Sequence, residues 1–300
     1  MTILTAFASR RFVLSWWCLL LAIHATAESV MSPIQNLEAS LAASMAQSTT
    51  IAVKSNDSCV VLAYQSSNNR ASKLLAKPLL IKSFEKSGLA LCSSPDSSFS
   101  TLLSRLRFLT PLCFCTMTGF AADVSHLMNV LAKIAESHQA VYSEHLPLAK
   151  CVRSLSSILQ RAARLDGGRP YGIQSLMIGL DSNHGSGRGF QIYSCDPTGL
   201  YRYFSSGKAV IGRQAESIGK ELSMSSPDDA ISALSVCLQA IVKASKDDNF
   251  ATQIKDGSHA WEALLLWKSA AGDCEVGRID SEFLSNRFRE ILEQQDSTTI

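Results

Sequence analysis

No two cysteines in this chain are spaced CxxC, no two histidines are spaced HxxxH or HExxH, and the charges nearly cancel. The nine cysteines, at 18, 59, 92, 113, 115, 151, 195, 237 and 274, fall mostly inside apolar runs. They read as reduced thiols serving as small core residues, not as a disulfide framework or a metal site. The six histidines, at 24, 126, 138, 145, 184 and 259, lack ligand spacing, so no metal centre and no cofactor is expected. With 28 Lys and Arg against 26 Asp and Glu the formal charge is +2, a balance that recruits no nucleic acid. What is present is core: 300 residues at 46% hydrophobic content are enough for one or two domains.

Residues 1–29 stand apart. Arg10 and Arg11 precede the apolar run Phe12 to Ile23, and Ala25-Thr26-Ala27 follows like a small-residue cleavage site. The pattern is that of a secretory signal, too short for a comfortable membrane span.

Beyond it, Ser32-Pro33 is a capping serine with proline in the first turn. Leu37, Leu41 and Met45 recur every four residues, predicting a short amphipathic helix with that stripe buried. Thr49 to Lys54 and Cys59 to Tyr64, rich in β-branched residues and split by Ser55-Asn56-Asp57-Ser58, predict a hairpin. Lys73 to Lys82 is apolar between lysines, and Pro78 suits an edge strand or an irregular segment. Ser93 to Pro111 turns serine-rich and reads as an insertion. A strand from Phe114 to Gly119 leads into a long helix from Ala121 to His145, with Asp123 in its first turn. Pro147 opens a second helix that keeps its period up to Arg164.

Ile173 to Leu180, Phe190 to Cys195 and Leu200 to Phe204 then form a meander. A glycine-rich loop joins the first two strands and an Asp196-Pro197-Thr198-Gly199 turn joins the last two. After Gly212 come a short helix from Arg213 to Leu222 and a longer one from Pro227 to Ser245, apolar around much of its circumference. Strands Trp261 to Trp267 and Glu275 to Arg278 follow, then a helix from Asp280 to Gln294. The order of hairpin, two helices, meander, two helices, hairpin and helix predicts an α+β fold, a four-layer αββα sandwich of two antiparallel sheets flanked by helices. Arg169 and Asp196, polar residues at strand ends, read as turn-holding groups making charge-assisted hydrogen bonds, not as a substrate clamp. Asp228 and Asp229 favour the start of a helix.

These pieces, in this order, carry a resemblance. Arg169-Pro170-Tyr171-Gly172, the strand ending Gly179-Leu180-Asp181, Asp196-Pro197-Thr198-Gly199 and Ala209-Val210-Ile211-Gly212 resemble the core of proteasome alpha-type subunits. Ser32-Pro33 with Gln35 and Glu38-Ala39, Ser48 to Ala52, and Gly119 to Asp123 are similar to that family's first helix, first strand and G..AD turn. The resemblance covers residues 32–294 as one domain with an insertion at 93–111, leaving 295–300 as a tail. Either Leu89 to Cys92 or Phe114 to Met117 fits the one strand expected near the insertion.

The resemblance implies the N-terminal-nucleophile hydrolase fold. Beta-type relatives attack the peptide carbonyl with an N-terminal threonine, aided by an aspartate at the end of the second strand and a lysine on the next. Here the helix-forming segment precedes Thr49 and Thr50, and Gln65 stands near the aspartate position. The resemblance therefore implies no catalytic residues, the alternative being a threonine-nucleophile hydrolase activated by cleavage before Thr49. It further implies a non-catalytic member of the seven-membered outer ring of the core particle, gating substrate entry in ubiquitin-dependent protein catabolism. The implied partners are other alpha-type subunits, beta-type subunits and the C termini of activators or a regulatory particle, with neither nucleic acid nor membrane among them. Lys77 matches the family's activator-pocket lysine, with Lys73 and Lys82 as neighbours and Pro78 where an aliphatic residue is usual. Location in cytoplasm and nucleus follows from that assembly, against the signal-like segment 1–29 that replaces the family's gate tail.

Overall fold

The computed structural model describes residues 32–56, 59–65, 106–164, 169–180, 189–222, 227–245, 248–255, 261–270 and 272–298. The expectations placed on residues 1–29, Lys73, Lys77, Pro78, Lys82 and Leu89 to Cys92 lie outside them.

The first helix, α1 (Pro33–Met45), starts at a reciprocal cap: the Gln35 amide donates to Ser32 Oγ at 3.2 Å and the Ser32 amide to Gln35 Oε1 at 2.9 Å. Its buried residues are Ser40 and Ser44, not the predicted stripe, while Leu37 and Leu41 are half-buried and Met45 is exposed. The small side chains face inward because the helix lies close over the chain at Pro170 and Gly172, where Ser40 Oγ donates to the Pro170 carbonyl at 3.1 Å. Periodicity located the helix, but close backbone approach chose its inner face.

Strands β1 (Thr50–Lys54) and β2 (Cys59–Gln65) pair antiparallel as the hairpin pattern requires. Next come β3 (Leu106–Thr110), β4 (Cys113–Gly119), α2 (Ala121–Tyr142) and α3 (Leu148–Arg164). The end of the stretch read as an insertion is thus an edge strand, β3, paired with β4 through an irregularity between Phe108 and Thr110. Helix α2 stops three residues before the predicted end because Ser143 takes a left-handed conformation, φ 55°, and closes it by donating to the Gln139 carbonyl.

The meander is β5 (Ile173–Leu180), β6 (Phe190–Cys195) and β7 (Tyr201–Tyr203). Strand β8 (Lys208–Ile211) then leaves that sheet and pairs with β1, Ile51 opposite Val210. The remaining elements are α4 (Ala215–Leu222), α5 (Ala230–Ala244), α6 (Asp248–Lys255), β9 (Trp261–Lys268), β10 (Cys274–Arg278) and α7 (Ser281–Thr298). Helix α6, only eight residues long, is not among the predicted elements.

The result is two five-stranded antiparallel sheets, in the orders β10-β9-β2-β1-β8 and β3-β4-β5-β6-β7. Alternation along each strand divides the apolar residues among three layers. Leu62, Phe114, Leu176, Ile178, Ile192 and Leu264 fill the space between the sheets. Ile51, Val61 and Leu265 face α4, α5 and α7. Met117, Ile173 and Met177 face α2 and α3. This is the expected αββα sandwich. All seven described cysteines are buried free thiols within it, four of them (Cys113, Cys115, Cys151 and Cys195) in the layer beneath α2 and α3.

Candidate functional site at the capped start of the first strand

Helix α1 runs through Gln47 and Ser48 into β1 in one continuous chain, and the junction is held residue by residue. Arg213 donates from Nε and a terminal guanidinium nitrogen to the Ala46 carbonyl at 3.1 and 2.7 Å. The Arg213 amide donates to Gln47 O at 3.2 Å, Thr118 Oγ1 to Ser48 O at 2.7 Å, and the Gln65 amide to Thr49 O at 2.9 Å. Four consecutive carbonyls are therefore occupied. Gly212 permits the approach: at φ 92°, a Cβ there would lie 2.2 Å from the Ser48 carbonyl oxygen. The sequence pattern marks Arg213 only as the start of a helix. Its role as a clamp follows from Gln214, whose positive φ of 60° turns the chain before α4 begins.

The threonines of this junction are buried, and Thr49 Oγ1 donates to the Arg213 carbonyl at 2.7 Å. Its proton is directed at a peptide oxygen, which cannot act as a base at neutral pH, and its amide is part of a peptide bond. Gln65, where the resemblance implies an aspartate, pairs across the sheet with Trp261 and carries no charge. The arrangement can hold a strand in place, but it does not activate a hydroxyl.

Arg169 and Asp196 serve different neighbours. Arg169 grips Asp123 with two nitrogens, at 3.0 and 2.5 Å, and the Gly172 amide adds a third bond to Asp123 at 3.0 Å. Asp123 is buried in the first turn of α2, so this pair ties the start of α2 to the turn before β5. The Arg169 guanidinium also lies 5.5 Å from the Phe120 ring centroid. Asp196 Oδ1 accepts from the Thr198 amide, the Thr198 hydroxyl and the Leu200 amide at 2.9, 2.5 and 3.2 Å. The same turn is pinned to α3 where Ser156 Oγ donates to the Gly199 carbonyl at 2.5 Å, and Gly199, φ 81°, fits against Gln160 only without a Cβ.

A cleft of about 410 Å³ lies between β7, β8 and α4. Its Lys208 donates to the Leu222 carbonyl at 2.7 Å, capping the end of α4, and burial holds its ammonium pKa below the ordinary value. Among the described residues no cluster of His, Cys, Asp and Glu could hold a metal ion, and no helix is long and apolar enough to cross a membrane.

Comparison with known proteins bears on this geometry. The proteasome family, described as proteasome subunit, matches residues 86–254, more than half of the chain. A proteasome subunit alpha type-4-like protein of Drosophila melanogaster is 36% identical over 123 residues, 39% of this chain and 46% of that protein. Proteasome subunit alpha type-4-A of Arabidopsis thaliana is 29% identical over 131 residues, 43% of this chain and 50% of that one. Proteasome subunit alpha type-2 of Saccharomyces cerevisiae is 32% identical over 110 residues, 36% and 42% respectively. The chain spans about half the length of the curated relatives it matches. With two antiparallel sheets between helical layers and a helix leading into the first strand, the chain belongs to the proteasome subunit family, as an alpha-type member.

Proposed function

We propose that the chain is a non-catalytic subunit of the proteasome core particle, built into the seven-membered outer ring that admits substrates in ubiquitin-dependent protein catabolism. The observation that carries this reading is the locked junction between α1 and β1. A threonine nucleophile needs a free amine beside its hydroxyl, and here Thr49 is enclosed by Arg213, Gln65 and Ser48 with its carbonyl and hydroxyl both engaged. The Arg169–Asp123 grip and the Asp196 turn act as scaffold for the same end of the sandwich. The partners are other alpha-type and beta-type subunits, and the place of work is the cytosol and nucleus, where such rings assemble. Lys77 receives the C-terminal carboxylate of an activator.

The test is the native mass of the tagged full-length chain purified from cells. Co-purification with other proteasome subunits at particle mass supports the proposal. A lone chain that a threonine-directed electrophile labels at Thr49 would replace it with the hydrolase reading. For the pocket, Lys77→Ala weakens activator binding to the assembled particle, and unchanged binding removes that assignment. Sequencing the mature N terminus tests the location, since a start at Glu28 means secretion.

A further inference from the structure

Helix α3 has five exposed positions, and they are Lys150, Arg153, Ser157, Arg161 and Arg164. At 3.6 residues per turn they fall within an arc of about 80° and run for about 21 Å along the axis. No acidic residue occurs anywhere on the helix. In a chain with 28 basic and 26 acidic residues, this is a local segregation of charge, not a general excess.

Helix stability does not account for it. Arg161 and Arg164 lie in the last turn, where a cation suits the helix dipole, but Lys150 lies in the first turn, where a cation is disfavoured. Lys150 is held in place, its Nζ 3.3 Å from His138 Nε2 and 5.5 Å from the Tyr142 ring centroid. Among the described residues, Arg153, Arg161 and Arg164 have no carboxylate within ion-pair distance. Unpaired among the described residues, these three guanidinium groups on a fixed helical frame form a ladder for bidentate carboxylate contacts.

We infer that the outer face of α3 docks an acidic segment of a partner protein, with carboxylates spaced along about four turns of helix or an equivalent extended stretch. Two other polyanions fit less well. None of the exposed residues of α3 is aromatic, the exposed ring of Tyr142 on α2 lying only beside Lys150 at one end, and the chain as a whole lacks the strongly basic balance of a nucleic-acid binder. None of the exposed residues of α3 is apolar, so the helix itself offers no side chain to enter a lipid surface.

The experiment places a photo-crosslinking amino acid at Ser157 in the full-length chain, in cells, and sequences the captured peptide. The expected product is a protein segment with several Asp or Glu residues. Its yield falls about tenfold in the R153E/R161E/R164E variant and falls several-fold when the salt concentration is raised from about 0.05 to about 0.5 M before irradiation of the purified assembly. Should the charge reversal prevent folding, R153Q/R161Q/R164Q makes the same comparison. No capture above that from a crosslinker at Lys220, capture of a neutral or basic segment, capture of nucleic acid or lipid, or a yield indifferent to the arginines would each overturn the inference.

Discussion

Helices α3 and α5 lie on opposite outer faces of the same sandwich and meet opposite surroundings. On α5 only Lys243 is fully exposed, and it reaches Glu221 at 3.7 Å, with α4 and α7 both packed against the helix. On α3 the inward residues Cys151, Val152, Leu155 and Leu159 are as deeply buried as any on α5, yet the outward face is a row of cations with nothing from the described chain over it. The two helices contribute alike to the core and differ only in what the chain supplies beyond it. A chain that seals one layer and leaves the other charged has divided its surface between self-sufficiency and association.

The largest effects test the likeness of the two inner faces. Leu155→Ala on α3 and Leu234→Ala on α5 should each cost about 3 kcal/mol, and Phe288→Ala on the covering helix α7 about 4 kcal/mol, by urea unfolding. A Leu155→Ala cost below about 1 kcal/mol would break the comparison, since α3 would then be a loosely attached helix.

Next in size is the anchor of the α3 side. Asp123→Ala strands Arg169 and the Gly172 amide and should cost about 2 to 3 kcal/mol. Arg169→Ala should cost at least as much if the buried carboxylate dominates, because it leaves Asp123 buried with the Gly172 amide as its remaining partner from this trio. Equal losses from both single variants and no further loss in the double would show that they act as a unit.

Alkaline pH sharpens the difference between the layers. Burial pushes the thiols of Cys195 and Cys274 up to about 12 and those of Cys115 and Cys237 well above the ordinary thiol range, while a hydrogen bond with Cys151, with burial behind it, raises that of Cys113. Unfolded thiols lose their protons near about 8.5, so above that pH the unfolded state is favoured. The contribution is fully present below about 8.5 and is lost as the pH climbs toward the folded values. Stability should therefore begin to drop at about pH 8.5 and keep falling as the pH climbs toward about 12, with Cys115→Ala flattening the fall.

The smallest expected effect is the most informative about the outer faces. Arg153→Gln and Arg161→Gln should change the stability of the isolated chain by no more than about 0.5 kcal/mol, within the range of ordinary surface substitutions. A larger loss would mean that the arginines hold the fold and that the charged face is internal architecture.

Much of this was legible beforehand where one periodicity ran unopposed. Ile173 to Leu180 and Phe190 to Cys195 matched their strands residue for residue, and the Ser32 cap and Pro147 marked two helix starts. Leu106 to Thr110 was hidden because five residues beside a serine-rich stretch carry too little pattern, and only pairing with β4 makes them a strand. The candidate site was half legible. Thr49, Thr50 and Gln65 could be placed by their strands, but Arg213 lies 164 residues from Thr49 and shows its role only when Gly212 brings the two backbones together.

By itself the sequence determined most of the elements, the sandwich they form and the absence of an acid at Gln65, because alternation, caps and residue type are local facts. The tertiary structure decided that α1 turns its serines inward, that β8 crosses to the first sheet, that Asp123 answers Arg169 and that α3 keeps its cations uncovered. Each of these depends on which distant segments come within a few ångströms of one another, and contact across 46 to 164 residues leaves no trace in the spacing of neighbours.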